Sequence, residues 1–248
     1  MPPVLKMAIY IGTSGWSYDH WRDILYPANA SSSQRLACYV ARYNTVEVNN
    51  SFYRWPSTDT FASWREQLPD GFRMTIKASR ALSHSKRLKE PEVWTERMAQ
   101  GLDVLGDKLG VWLVQLPPNF SCDIERLSGF LEQVPPRFKV ALEFRHPSWN
   151  DDEVFALLEK HGAAYCIMSG AGLPCILRAT APFVYLCLHG PDEHHLYAGS
   201  YPDDDLRWWA ERIREWHGSG KEVWAYFNND GFGHAVRNAD TLKGFLGV

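Results

Sequence analysis

The sequence predicts a single closed α/β barrel of the (β/α)8, TIM-like type over residues 1–248, with the helix after the sixth strand missing or irregular. Three observations predict it. Short aliphatic or β-branched runs alternate with helical stretches along the whole chain, the pattern of parallel strands joined by crossover helices. The length of 248 residues suits one barrel. No linker or low-complexity segment divides the chain. The competing architecture is an open doubly wound sheet. Gly12 and Gly15 follow the first strand, but they form neither a G-x-G-x-x-G fingerprint nor a P-loop.

In order, Ala8–Gly12 reads as the first strand, and a loop rich in Ser, Trp and Tyr leads to a helix over Gln34–Tyr43 capped by Ser32 or Ser33. The second strand is Thr45–Asn49, and a helix from Thr58 to Leu68 takes Ser57 as its cap. The third strand, Arg73–Ala78, precedes a helix that Pro91 opens and that runs to Leu105. The fourth, Gly110–Gln115, stops at Pro117 and Pro118. The fifth, Lys139–Glu143, is followed by a helix over Asp151–Lys160 with Asn150 as cap, Glu153 at the capping-box position and Gly162 beyond its end. After the sixth strand, Ala163–Met168, the segment before the seventh, Phe183–Leu188, holds Gly170, Gly172, Pro174 and Pro182. It is too short and too poor in helix formers for an ordinary crossover, and a short extra strand at Cys175–Arg178 is expected instead. The helix Asp204–Trp216, the eighth strand Glu222–Phe227 and a closing helix Asn238–Leu246 complete the barrel.

Composition narrows the function. At 45% hydrophobic and 22% charged residues the chain can fill a large core and stay in water. A net charge of −3 argues against a dedicated nucleic-acid binder. Cys38, Cys122, Cys166, Cys175 and Cys187 form no C-x-x-C pair and read as reduced thiols. Met1–Tyr10 holds one lysine and no long apolar run, so no export signal is expected there. No apolar stretch reaches the roughly 20 residues that span a bilayer. A cytoplasmic protein with no membrane partner is expected.

In such a barrel the site lies at the C-terminal ends of the strands. Thr13, Trp16 and Tyr18 follow the first strand, and Glu47, Asn49, Ser51 and Tyr53 end the second. Lys77 and Gln115 end the third and fourth, and Glu143, Arg145, His146 and Trp149 follow the fifth. His189 ends the seventh, and Tyr226 and Asn228 the eighth. Side chains alternate along a strand, so Glu47, Asn49 and Ser51 share a face while the chain is extended, as do Glu143 and Arg145. Converging polar groups of this kind suit an enzyme, hydrolase or isomerase, for a phosphorylated, sugar-like or nucleic-acid-derived ligand. Glu47 and Glu143 would divide the acid and base roles, because carboxylates in different surroundings hold different pKa values. Lys77 and Arg145 would clamp an anion, with His189 beside them. Asn49, Gln115 and Asn228 would orient the substrate, and Trp16, Tyr18, Tyr53 and Trp149 would form stacking walls. Thr13, Ser51, His146 and Tyr226 complete the set. The competing account makes Glu143 and Arg145 a structural pair that closes the barrel top against Lys77 or Glu47.

No cofactor is expected. With only His146 and His189 at strand ends and His84 on a loop, a zinc cluster lacks ligands. A single Mg²⁺ or Mn²⁺ would fall to Glu47 and Glu143. The alternative function is a non-catalytic nucleic-acid module using the basic run Lys77, Arg80, His84, Lys86, Arg87 and Lys89, against which stands a solvated loop.

Several phrases together resemble one family. They are Ile11-Gly12-Thr13-Ser14-Gly15-Trp16-Ser17-Tyr18 and Tyr43-Asn44-Thr45-Val46-Glu47-Val48-Asn49-Asn50-Ser51-Phe52-Tyr53, then Lys77-Ala78-Ser79 and Gln115-Leu116-Pro117-Pro118. Glu143-Phe144-Arg145-His146-Pro147-Ser148-Trp149, His189-Gly190, Phe227-Asn228-Asn229-Asp230 and Asn238-Ala239 follow in order. Nearly end to end, the chain resembles the YecE-like family, a bacterial and archaeal domain of unknown function. The resemblance implies a TIM-like barrel and supplies no reaction. Two departures remove charge from the expected site. Cys187 stands where the family usually has an arginine two residues before its His-Gly, and Met168-Ser169-Gly170 stands where it often has an aspartate.

Overall fold

The computed structural model describes residues 8–248, and most of the stretch read above as carrying no export signal lies outside the described residues. Eight strands form one parallel sheet: β1 (Ile9–Thr13), β2 (Thr45–Val48), β3 (Arg73–Lys77), β4 (Leu109–Gln115), β5 (Lys139–Glu143), β6 (Ala164–Ser169), β7 (Phe183–Leu188) and β8 (Glu222–Phe227). Their order is β1-β8-β7-β6-β5-β4-β3-β2. Its two ends meet where Ser14 bridges Glu47 and the Gly15 amide donates to the Glu47 carbonyl at 2.8 Å. Gly12 makes that approach feasible, since a Cβ there would stand 2.2 Å from the Thr45 carbonyl oxygen.

The helices are α1 (Ser32–Arg42), the single turn α2 (Asn50–Tyr53), α3 (Thr58–Gln67), α4 (Pro91–Leu105), α5 (Ile124–Gln133), α6 (Asp152–His161), α7 (Asp203–Gly218) and α8 (His234–Leu246). Two caps differ from expectation. Ser31, not Ser32 or Ser33, caps α1, because it alone forms the reciprocal pair with Gln34. Asp151, not Asn150, caps α6, its carboxylate accepting from the Glu153 amide at 2.9 Å. Helix α5 was not read from the sequence. Its signal is present: Asp123 caps it, and Leu127, Phe130 and Leu131 bury one face at helical spacing.

The β6–β7 connection carries no helix, as expected. It carries no strand at Cys175–Arg178 either, which corrects that expectation. The reason is topological: β5 and β7 already occupy both edges of β6, so an extra strand has nothing to pair with. Thr180 pins the loop instead, donating to the Ala163 carbonyl at 2.7 Å and accepting from the Tyr165 amide at 2.8 Å.

Strand alternation divides the buried residues in two. One face packs under the helices through residues such as Trp112, Phe130, Phe144 and Trp149. The other fills the barrel with Val111, Leu113, Ala141, Cys166, Met168, Tyr185, Cys187, Trp224 and Tyr226. At the bottom Tyr10 stacks on Trp224 at 3.9 Å. One layer up, the Tyr226 hydroxyl lies 2.7 Å from both Thr45 Oγ1 and Thr75 Oγ1. Opposite Thr75 the register of β3 and β4 shifts, and the Thr75 hydroxyl accepts the Val111 amide at 3.1 Å. Among the described residues no helix is long and apolar enough to cross a membrane.

Closure at Gly12 is testable. Gly12→Ala forces the new methyl onto Thr45, which costs roughly 1–3 kcal/mol, and a thermal melt should show Tm lower by about 2 °C or more. An unchanged Tm would show that the β1–β2 seam is not closely packed there.

Candidate active site

The interior faces of β2, β3, β4, β5, β7 and β8 become polar at their C-terminal ends, whereas that of β6 ends in Cys166 and Met168. Thr45, Glu47 and Asn49 ascend β2 and its exit, Thr75 and Lys77 ascend β3, and Leu113 and Gln115 ascend β4. Ala141, Glu143 and Arg145 follow on β5, Tyr185, Cys187 and His189 on β7, and Trp224, Tyr226 and Asn228 on β8. The period of two thus stacks one polar layer on an apolar and hydroxyl-bearing plug.

Glu143 is the centre of that layer and is fully buried. Its Oε1 accepts from Gln115 Nε2 at 2.6 Å and from Arg145 Nε at 2.5 Å. Its Oε2 is buried with no hydrogen-bond partner among the described residues. Burial alone would raise its pKa. The Arg145 and Lys77 charges and the Gln115 hydrogen bond overcome this and hold the carboxyl at about 2. Arg145 also donates from Nη2 to His189 Nε2 at 3.1 Å. A guanidinium can only donate, so Nε2 is the acceptor and the His189 proton sits on Nδ1. That N–H faces Cys187 Sγ at 3.9 Å, and Asn228 Nδ2 lies 3.4 Å from the same ring nitrogen. Burial lowers the His189 pKa to about 3 against the pull of Glu143, with the Arg145 and Lys77 charges acting in the same direction as burial, so the imidazole is neutral.

Glu47 is the second buried carboxylate. Ser14 Oγ donates to its Oε1, and the Tyr185 hydroxyl donates to its Oε2 at 2.5 Å. Asn49 Nδ2 in turn donates to Ser14 Oγ at 2.5 Å, while Asn49 Oδ1 is buried and has no hydrogen-bond partner among the described residues. Burial raises the Glu47 pKa above its ordinary value despite Lys77 and the two hydroxyls. Lys77 is half-buried, with its ammonium over the Phe52 ring at 5.3 Å. Burial would lower its pKa, but Glu143 and Glu47 together raise it. Two carboxylates that share one lysine are therefore shifted in opposite directions, Glu47 holding its proton to higher pH and Glu143 losing it early.

The structure brings together Glu47, Asn49, Lys77, Gln115, Glu143, Arg145, His189 and Asn228. Other expected site residues go elsewhere. Trp149 is fully buried: the chain turns over Pro147–Trp149, which stacks its indole on Phe144 at 4.8 Å and ties Nε1 to the Phe120 carbonyl at 2.7 Å. Tyr226 lies one pleat below the mouth. Ser51 leaves the strand face because the chain coils after Val48, and its hydroxyl donates to the Val48 and Lys77 carbonyls at 2.9 and 2.7 Å. Thr13 Oγ1 donates to the Gly15 carbonyl at 2.7 Å and shapes the β1 turn. His146 Nδ1 accepts from the Ser148 amide at 3.2 Å as a turn cap. Trp16 and Tyr18 line a cavity of about 220 Å³ with Gly15, Ser17, Asn49 and Asn50. Tyr53 stands 74% exposed on the rim.

Three contributors were missed. Ser14 and Tyr185 hold Glu47, and stepping back by twos from His189 would have found Tyr185. Tyr197 has φ +68 on the loop after β7 and sets its ring 5.3 Å from His189. No periodic signal marks it. That loop folds back where Gly190, at φ +103, lets the Ala198 carbonyl come within 2.1 Å of where a Cβ would be. The basic run after β3 forms a compact wide turn, with Leu82, Ser83 and Leu88 buried, Lys86 paired to Glu90 at 2.5 Å and Arg87 over the Phe120 ring.

Donor atoms of Glu143, Cys187 and His189 lie within 4.8 Å of one another, the kind of O, S, N set that can hold a metal. Arg145 already binds Glu143 Oε1 and His189 Nε2, so a cation is built into that position by the chain itself.

The depressed Glu143 pKa makes a prediction about stability. Its contribution is complete above the ordinary value of 4.5 and is lost as pH falls toward about 2. At neutral pH, Glu143→Gln leaves Arg145 buried without its partner and should cost roughly 3–5 kcal/mol. The Tm gap between the two proteins should narrow through that acid window. A gap that stays constant would contradict the ionised state.

A family model described as "Protein of unknown function DUF72" matches residues 10–248. The UPF0759 protein YunF of Bacillus subtilis is 27% identical, over 97% of this chain and 95% of that protein. The UPF0759 protein YecE of Escherichia coli K12 is 29% identical, over 57% of this chain and half of that protein. A DUF72 family protein of Thermotoga maritima superposes with TM-score 0.87 at 28% identity, over 97% of this chain and 100% of that one. One from Enterococcus faecalis, at 20% identity and TM-score 0.85, shares the fold, with 97% and 96% of the two chains covered. The chain belongs to the DUF72 family of TIM-like barrel proteins, which also holds YecE and YunF.

Proposed function

We propose that the protein is an enzyme, a hydrolase or isomerase, that acts on a phosphorylated, sugar-like or nucleic-acid-derived small molecule at the C-terminal mouth of the barrel. The observation that carries this reading is the opposite poise of two buried carboxylates across one lysine. Glu47, with its raised pKa, is a proton donor held in place by Tyr185 and Ser14. Glu143, ionised and without a hydrogen-bond partner on its buried Oε2 among the described residues, accepts a proton or a hydrogen bond from the substrate. A buried carboxylate oxygen without a donor costs stability, and a substrate hydroxyl would supply that donor.

Lys77 meets the anionic or charge-developing part of the substrate, since its ammonium enters none of the ion pairs around Glu143. Arg145 is bound to Glu143 and His189, so it fixes the carboxylate. Neutral His189 anchors Arg145 and does not shuttle protons at neutral pH. Asn49, Gln115 and Asn228 stand half-buried at the lip, where they orient what enters.

Metabolite extract incubated with the protein and profiled by mass spectrometry should show one hydroxyl-bearing compound consumed. Glu47→Gln mimics the protonated acid and should keep Tm near the wild-type value while slowing turnover about 100-fold or more. Wild-type kcat/KM should fall as pH rises through the raised Glu47 pKa. Undiminished turnover in Glu47→Gln would remove Glu47 from the chemistry and the reading with it.

A further inference from the structure

We infer that the part of the substrate that enters this mouth is a single polyhydroxylated ring, a sugar, seated between the β1 and β2 loops. The inference rests on the enzymatic reading of the same site and names its substrate class. The first observation is a pair of unsatisfied acceptors. Glu143 Oε2 and Asn49 Oδ1 are both buried, and neither has a hydrogen-bond donor among the described residues. Each such atom costs roughly 1–3 kcal/mol, more when charged, unless a ligand supplies the donor. A hydrogen-bonded chain ties Asn49 to the acid, running from Asn49 Nδ2 to Ser14 and on to Glu47, while Glu143 stands across Lys77, which bears on both carboxylates.

These atoms select by chemistry. A phosphate oxygen only accepts at neutral pH, so a phosphate placed here would set acceptor against acceptor. A hydroxyl donates to Glu143 or Asn49 and still accepts from the Lys77 ammonium. Neighbouring hydroxyls on one ring offer that double capacity twice. A phosphate on the same molecule, where present, would face outward.

The second observation is the cavity that Asn49 borders, with Trp16 and Tyr18 in its wall. Its volume of about 220 Å³ falls below the roughly 300 Å³ at which drug-sized pockets begin and suits a single ring. The wall is fixed: Trp16 meets Trp64 edge to face at 5.8 Å, and the Tyr18 hydroxyl donates to the Ser14 carbonyl at 2.8 Å. A rigid aromatic surface beside lone acceptors suits the C–H face and rim hydroxyls of a sugar ring.

Saturation-transfer NMR on the intact protein tests this with D-ribose 5-phosphate, D-glucose 6-phosphate, uracil and inorganic phosphate as separate probes. At least one sugar phosphate should bind through its ring protons, and Trp16→Ala and Asn49→Ala should each weaken it about 10-fold or more. Trp16→Ala leaves the Ser14–Glu47 chain untouched and keeps the test valid where Asn49→Ala destabilises the protein. Binding of uracil or phosphate alone, absence of binding by all four probes, or sugar binding indifferent to both variants overturns the inference. Since the readout is binding, the two readings can fail separately. Sugar binding with full turnover in Glu47→Gln would defeat only the enzymatic reading, and a Glu47-dependent reaction on a compound without a hydroxylated ring would defeat only this one.

Discussion

The mouth of this barrel depends on one buried ion pair, Glu143 with Arg145. A carboxylate with no exposure would be neutral or expelled without a cation at hydrogen-bond distance. Arg145 comes from the same strand exit, two residues on, so the pair is set by the pleat of one segment and needs no long-range accident. From it the rest follows outward. Gln115 fills the remaining room on Oε1, His189 is forced into the tautomer that accepts from Arg145, and Asn228 and Cys187 settle around the other ring nitrogen. Lys77 completes the charge balance and passes its influence to Glu47.

The barrel beneath is arranged to support that layer. Tyr226 braces β2 and β3 through two threonines, and Tyr185 braces Glu47 from the opposite wall. Hydroxyls in a confined interior serve well here, since each can donate and accept without carrying charge. The β6–β7 unit departs from the barrel pattern because both edges of β6 are already paired, so the short loop needs only to cross and be pinned by Thr180.

Much of this was legible in the sequence, and the limits are physical. Strands β5, β7 and β8 have the bounds their aliphatic runs predict, and alternation along them groups Glu143, Arg145, His189 and Asn228. Alternation fails once the chain stops being extended. Ser51 lies in a helical turn and Trp149 in a tight turn, so their spacing from Glu47 and Glu143 says nothing about where they face. Height in the barrel is equally hidden: Tyr226 shares a face with Asn228 but sits a layer too low, a matter of register between strands. Tyr197 arrives through a left-handed loop residue that no pattern announces. The two chain departures are informative in retrospect, because Cys187 places a small neutral group beside His189 and Ser169 hydrogen-bonds to Tyr201 at 3.0 Å.

The two buried carboxylates are shifted in opposite directions, Glu47 above the ordinary glutamate pKa and Glu143 below it. Carboxyl-carbon NMR titration of selectively labelled glutamate, with Glu47→Gln and Glu143→Gln used to assign the signals, measures this directly. The account predicts that Glu47 takes up its proton above the ordinary glutamate range while Glu143 stays ionised at every pH at which the protein remains folded. Two carboxyls titrating together near the ordinary value, or Glu143 protonating first, would contradict it.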